Sequence, residues 1–138
     1  MGAAQGALEL GRSYTTDRQA FGVPIASYQS VAHRMADLAT SLSGARLLAR
    51  KAAWAADHDP AGSRRLSLMA FSFAAQTAEA VATDALHFHG GYGFMLEYDV
   101  QLYLRRIKSW ALLNGDPQRD LQRLADELWG PSAQAATR

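Results

Sequence analysis

Residues 28–57 read YQSVAHRMADLATSLSGARLLARKAAWAAD, and the spacing of their apolar residues decides the fold. Val31, Met35, Leu38, Leu42, Ala45, Ala49, Ala52 and Ala56 follow one another in steps of four and three. On a helix of 3.6 residues per turn, that spacing lays them along one stripe. A strand would need steps of two. About 30 residues at 1.5 Å each make a helix roughly 45 Å long, which must run the full height of a bundle to bury such a stripe. His33 and Arg34 fall beside the seam and are expected to be solvated or rim residues.

Downstream, residues 57–62 (DHDPAG) form a turn, and Ser63 is the expected cap of a third helix over residues 64–89. That helix is alanine-rich, with Leu66, Met69, Phe71, Phe73, Val81 and Leu86 distributed around it, so it is expected to be buried on more than one side. Its end runs into DALHFHGGYGFMLEYD, residues 84–99, where Gly90, Gly91 and Gly93 fall within four positions. Such a cluster serves as a helix C-cap, as a turn that a ligand can approach closely, or as both. Phosphate-binding glycine motifs follow a strand and open a helix, whereas these close one, which argues against a Rossmann or P-loop site. His87 and His89 point to different sides of a helix and lack a cysteine or carboxylate at matching spacing, so no metal site is expected.

A fourth helix is expected over residues 100–113, a break at 114–117, and a short fifth helix over 117–128 with Pro117 at its first position. Upstream, residues 2–16 read as a helix that begins without a capping signal, as if cut from something longer. The loop DRQAFGVPIAS, residues 17–27, follows, with Gly22 and Pro24 as breakers and Ser27 as the expected cap of the long helix. In it Arg18 and Phe21 stand three apart. A cation beside a flat ring suits an anionic, aromatic ligand; a surface arginine with a phenylalanine tucked onto the core accounts for the pair equally well. The whole reads as an all-α, up-and-down four-helix bundle with a short fifth C-terminal helix.

Composition narrows the functions. At 138 residues and 49% hydrophobic content the chain is one domain's worth. A net charge of +1, from 14 Lys+Arg against 13 Asp+Glu, leaves no electrostatic footprint for nucleic acid or an anionic membrane. The absence of cysteine excludes disulfides, zinc-thiolate sites and thiol nucleophiles, and agrees with a cytoplasmic location. With no apolar run approaching a membrane span and no basic-then-apolar start, neither a span nor a signal peptide is expected.

Two stretches carry a resemblance. DRQAFGVPIASYQSVAHRMADLAT, residues 17–40, resembles the signature that opens the C-terminal domain of acyl-CoA dehydrogenases, and LHFHGGYGFMLEYDVQLYLRR, residues 86–106, resembles their second signature, in the same order. The resemblance implies that residues 1–138 are the C-terminal helical bundle of a flavoprotein whose N-terminal and middle domains are absent here. It implies FAD as cofactor, acyl-CoA as a substrate reached through those domains, and assembly as a homo- or hetero-oligomer, a dimer or tetramer. Arg18 would contact the FAD pyrophosphate and Phe21 would pack near its adenine, both reaching to a neighbouring subunit's cofactor. His87 stands where the family has a glutamine, and Gly90 and Gly91 would let the backbone approach the FAD.

The family's reaction removes an α-proton to a carboxylate and a β-hydride to the flavin. In most members the carboxylate is a glutamate followed by glycine, just after the fourth helix. Counted forward from Tyr103, that position is Asn114, whose amide cannot take a proton; counted back from Leu124, it is Asp116. Asp116 reads equally as the N-cap of the fifth helix. Other members carry the base on the first helix of the bundle, at a position before Met1. The closing stretch SWALLNGDPQRDLQRLADELWG resembles divergent actinobacterial members, including those of steroid side-chain breakdown, which pair two different subunits with the base on one. The expected function is thus the C-terminal domain of an FAD-dependent acyl-CoA dehydrogenase. The alternatives are a non-catalytic pairing subunit of a heteromeric enzyme, or a free-standing helical interaction domain.

Overall fold

The computed structural model describes residues 1–113 and 116–130. Five α-helices account for most of them: α1 (Gly2–Asp17), α2 (Gln29–His58), α3 (Pro60–His89), α4 (Val100–Leu112) and α5 (Pro117–Trp129). The 30-residue α2 has the expected length, and Leu38, Leu42, Ala45 and Ala52 of its seam are buried. The last step differs. Ala55 is buried and Ala56 exposed.

At the centre of the bundle, α3 packs against all four other helices. The closeness of that packing comes from residue size: nine of the fifteen buried apolar residues among those described are alanines, Ala78, Ala82 and Ala85 of α3 among them. Leu38, Leu42, Val81, Leu86, Val100 and Ile107 fill the gaps in the same cluster. Among the described residues, no helix is long and apolar enough to cross a membrane.

Several local expectations change. A single residue separates α2 from α3, and it is Asp59, not Ser63, that caps α3: its Oδ1 accepts the Gly62 N–H at 3.1 Å, with Pro60 in the first turn. Ser63 lies inside the helix, its hydroxyl donating to the Pro60 carbonyl at 2.9 Å. Ser27 is not a cap either. A 3-10 turn over Ile25–Ser27 precedes α2 and leaves Tyr28 at its N-cap position, and the Ser27 hydroxyl donates back to the Pro24 carbonyl at 2.6 Å. The absence of strands expected from the sequence fails at one place, a two-residue antiparallel ladder of β1 (Gln19–Ala20) and β2 (Val23–Pro24). It leaves the all-α class intact.

Candidate functional site

The first arm of the site is the hairpin that follows α1. Arg18 leaves the helix with extended backbone (φ −72°, ψ 124°) while its N–H still donates to the Tyr14 carbonyl at 2.8 Å. The ladder then pairs Gln19 with Pro24 and Ala20 with Val23, leaving Phe21 and Gly22 as a two-residue turn with φ of +53° and +84°. Positive φ at both positions is the signature of a type I′ hairpin turn, whose twist matches that of its strands. The Ile25 N–H bonds the Arg18 carbonyl at 2.8 Å and the Tyr28 hydroxyl donates to the Ala20 carbonyl at 3.0 Å, closing the loop on itself. Gly22 adopts this geometry freely. Phe21 does not, and an L-residue held there costs roughly 1–2 kcal/mol. Its ring is 97% exposed, so it is not tucked onto the core. The Arg18 side chain is exposed too, and makes no hydrogen bond or ion pair to any described residue.

The second arm is the glycine cluster, whose three members have different reasons to be glycine. Gly90 ends α3 at φ +61°, ψ −138°, a region closed to side chains that carry a Cβ. At Gly93 a Cβ would lie 2.6 Å from the Leu86 carbonyl oxygen, so the turn can fold over the last turn of α3 only without one. Gly91 has neither constraint: its φ is not positive, and nothing lies within 4 Å of the place a Cβ would occupy. The cluster is thus a helix cap at Gly90 and a packing contact at Gly93, with open space over Gly91.

Beside the end of the first arm, against the last turns of α3, lies a hollow of about 500 Å³, walled by Ile25, Tyr28, Val31 and Phe88 and edged by exposed His87. Its polar side is an ion pair across two helices, in which Arg34 Nε donates to Asp84 Oδ2 at 2.8 Å. Arg34 is exposed at the rim, as expected, and is ion-paired there. The structure brings His87 to the loop that carries Arg18 and Phe21, and places Gly90 and Gly91 directly after it. A larger groove, about 780 Å³, runs between the start of α1 and α4 and is lined by neither arm.

Residues 1–128 match the family described as acyl-CoA dehydrogenase, C-terminal domain. The chain belongs to the acyl-CoA dehydrogenase family. It is 36% identical over 129 residues, 94% of its length, to the acyl-CoA dehydrogenase IpdE2 of Mycolicibacterium smegmatis. It is 40% identical over 118 residues, 86% of its length, to a cyclohex-1-ene-1-carbonyl-CoA dehydrogenase of Syntrophus aciditrophicus. The chain spans 40% and 28% of the lengths of these two relatives. Among solved structures, a glutaryl-CoA dehydrogenase of Mycobacterium smegmatis in complex with FADH2 is similar with a TM-score of 0.86 and 25% identity, over 96% of this chain and 34% of that one.

In this acyl-CoA dehydrogenase domain Asp116 stands apart from both arms. It follows the far end of α4, whose 13 residues span roughly 20 Å at 1.5 Å each. Its side chain is exposed, and its Oδ1 accepts the Gln118 N–H at 2.9 Å, as an N-cap ahead of Pro117. Asn114 lies outside the described residues. What the sequence did not reveal are Ile25, Tyr28 and the Arg34–Asp84 pair. Those two charges are far apart along the chain, and no local pattern announces that they meet.

Proposed function

We propose that this chain is the C-terminal domain of a longer FAD-dependent acyl-CoA dehydrogenase, and that its hairpin and glycine turn hold the diphosphate and adenosine part of a neighbouring subunit's FAD. The observation that carries this reading is Phe21. A large apolar ring kept almost wholly in solvent, at a backbone angle that costs stability, has no use to the isolated fold; strain of this kind persists where a ligand or partner benefits. The rest of the site fits the same group. Arg18 offers a planar guanidinium, unpaired among the described residues, for two diphosphate oxygens, and Gly91 leaves room for a close approach of the backbone. His87 contributes a donor, and the hollow beside it presents flat and aliphatic walls to a purine. A bound FAD would supply the acceptance of a hydride from an acyl-CoA; the residues described here bind and orient it.

Assembly follows from the same reading, since the arms face outward. Leu47, Met69 and Phe73 on α2 and α3, and Leu112, Leu113 and Trp129 on α4, just after it and on α5, are exposed, apolar surface that an assembly can cover.

Replacing Phe21 by glycine separates folding from function. Phe21→Gly is expected to leave the domain as stable or more stable in thermal unfolding, because it relieves the positive φ, by roughly 1 kcal/mol. The same variant of the full-length protein should bind FAD more weakly, as measured by flavin retention on dialysis. A destabilised domain, or unchanged flavin content, would count against the reading.

A second reading, the non-catalytic pairing subunit, is favoured by one observation: the carboxylate of Asp116 is solvated and committed to a cap, whereas a base for the α-proton must be dry and free to point at its substrate. Asp116→Asn should preserve α5, as asparagine caps as well as aspartate, and should leave the rate of FAD reduction by acyl-CoA unchanged in the full-length assembly. Loss of reduction with normal flavin content would instead make Asp116 the base.

A further inference from the structure

We infer that the Tyr14–His89 ring pair is a positioning element that couples the two arms of the nucleotide site; this rests on the reading above that both arms serve one cofactor. Neither ring belongs to the arms themselves, but each is joined to one of them. Tyr14, in the last turn of α1, has its carbonyl bonded to the Arg18 N–H at 2.8 Å, so the hairpin hangs from it. His89 is the last residue of α3, and Gly90 is its neighbour. The end of α1 that carries the hairpin meets the end of α3 that carries the glycine turn in the stack between these rings, with centroids 4.2 Å apart and planes inclined by 23°.

The stack is held from several sides. His89 is 6% exposed, and its Nδ1 lies 2.7 Å from the Ala85 carbonyl oxygen. A carbonyl only accepts, so Nδ1 carries the hydrogen and the ring has one tautomer and one orientation. Tyr98, on the segment that leads from the glycine turn into α4, closes edge-on against both rings, at 5.9 Å from His89 and 6.4 Å from Tyr14. Beneath them α1 and α3 approach closely: a Cβ on Gly11 would lie 3.3 Å from Cα of Ala85. The ring pair therefore sits on a backbone contact that cannot slide inward. A change at either ring is expected to move the opposite arm.

The test uses amide nitrogen–proton NMR spectra of this chain without ligand. Tyr14→Leu removes the stacked ring, and Tyr14→Phe keeps it. With coupling through the stack, Tyr14→Leu shifts the amides of Gly90, Gly91 and Gly93 as well as those of Arg18 to Gly22, and Tyr14→Phe shifts neither set appreciably. His89→Gln removes the ring from the other side while keeping an N–H donor, and must shift Arg18 to Gly22; it also decides the matter if Tyr14→Leu loses helix by circular dichroism. Shifts confined to the mutated residue's own arm, or equal shifts in Tyr14→Phe, overturn the inference. Titration with ADP then separates this idea from the nucleotide reading. Tyr14→Leu is expected to weaken ADP about tenfold, with the Tyr14→Leu/His89→Gln double variant no weaker than either single, the non-additivity of residues that act as one unit. If ADP moves no amide in the unmutated chain, the nucleotide reading fails, while the ligand-free spectra still decide whether the arms are coupled.

Discussion

Arg18→Ala in the assembled full-length protein is expected to weaken FAD binding by about 1.5–3 kcal/mol, roughly ten- to 150-fold, the range for a hydrogen bond to a charged group. The fold should not notice the change. Arg18 contributes its backbone to the hairpin, but its side chain is exposed and bonded to no described residue, so truncation strands no partner and opens no cavity. Arg18→Lys should recover part of the loss, because an ammonium restores the charge without the planar two-pronged donor that a diphosphate accepts. Flavin content after gel filtration, with equilibrium binding of FAD to the stripped protein, measures both. Full flavin retention in Arg18→Ala would remove the cofactor role from the hairpin.

Leu42→Ala should destabilise the domain by about 2–5 kcal/mol, the cost of a buried leucine truncated in a core that relaxes only in part. Leu42 is 1% exposed and packs in the cluster that holds Leu38, Ala78 and Val81. On the same helix Leu47 is 64% exposed, and Leu47→Ala should fall within about 0.5 kcal/mol. Urea unfolding of the two variants tests the orientation of α2: equal costs would mean that its buried face has been assigned to the wrong side.

The helices were legible because their evidence is periodic, and a period repeated over 30 residues outweighs any single position. Caps were harder, since one residue decides each of them. Asp59-Pro60 and Asp116-Pro117 carry the same signal, a carboxylate acceptor followed by a ring that fits the first turn. It was recognised at Asp116, but at Asp59 the following alanine and glycine read as loop and pushed the expected start four residues late. The site was legible in its residue types only. Arg18 and Phe21 could be singled out as a cation and a ring, but nothing in DRQAFG states that Phe21 takes a positive φ, because glycine alone is ordinarily expected there. The Arg34–Asp84 pair and the Tyr14–His89 stack join distant segments, and proximity of that kind is a property of the packed bundle.

The alanine-filled centre makes the domain vulnerable in an unusual direction. Most random damage to a globular core removes volume, yet Ala45, Ala52, Ala78, Ala82 and Ala85 have almost none to lose. For them the harmful substitutions are the ones that add methyl groups, which force neighbouring helices apart at about 1–3 kcal/mol each. The spacing of α3 from its neighbours is the quantity that such substitutions change first, as where Gly11 of α1 lies against Ala85.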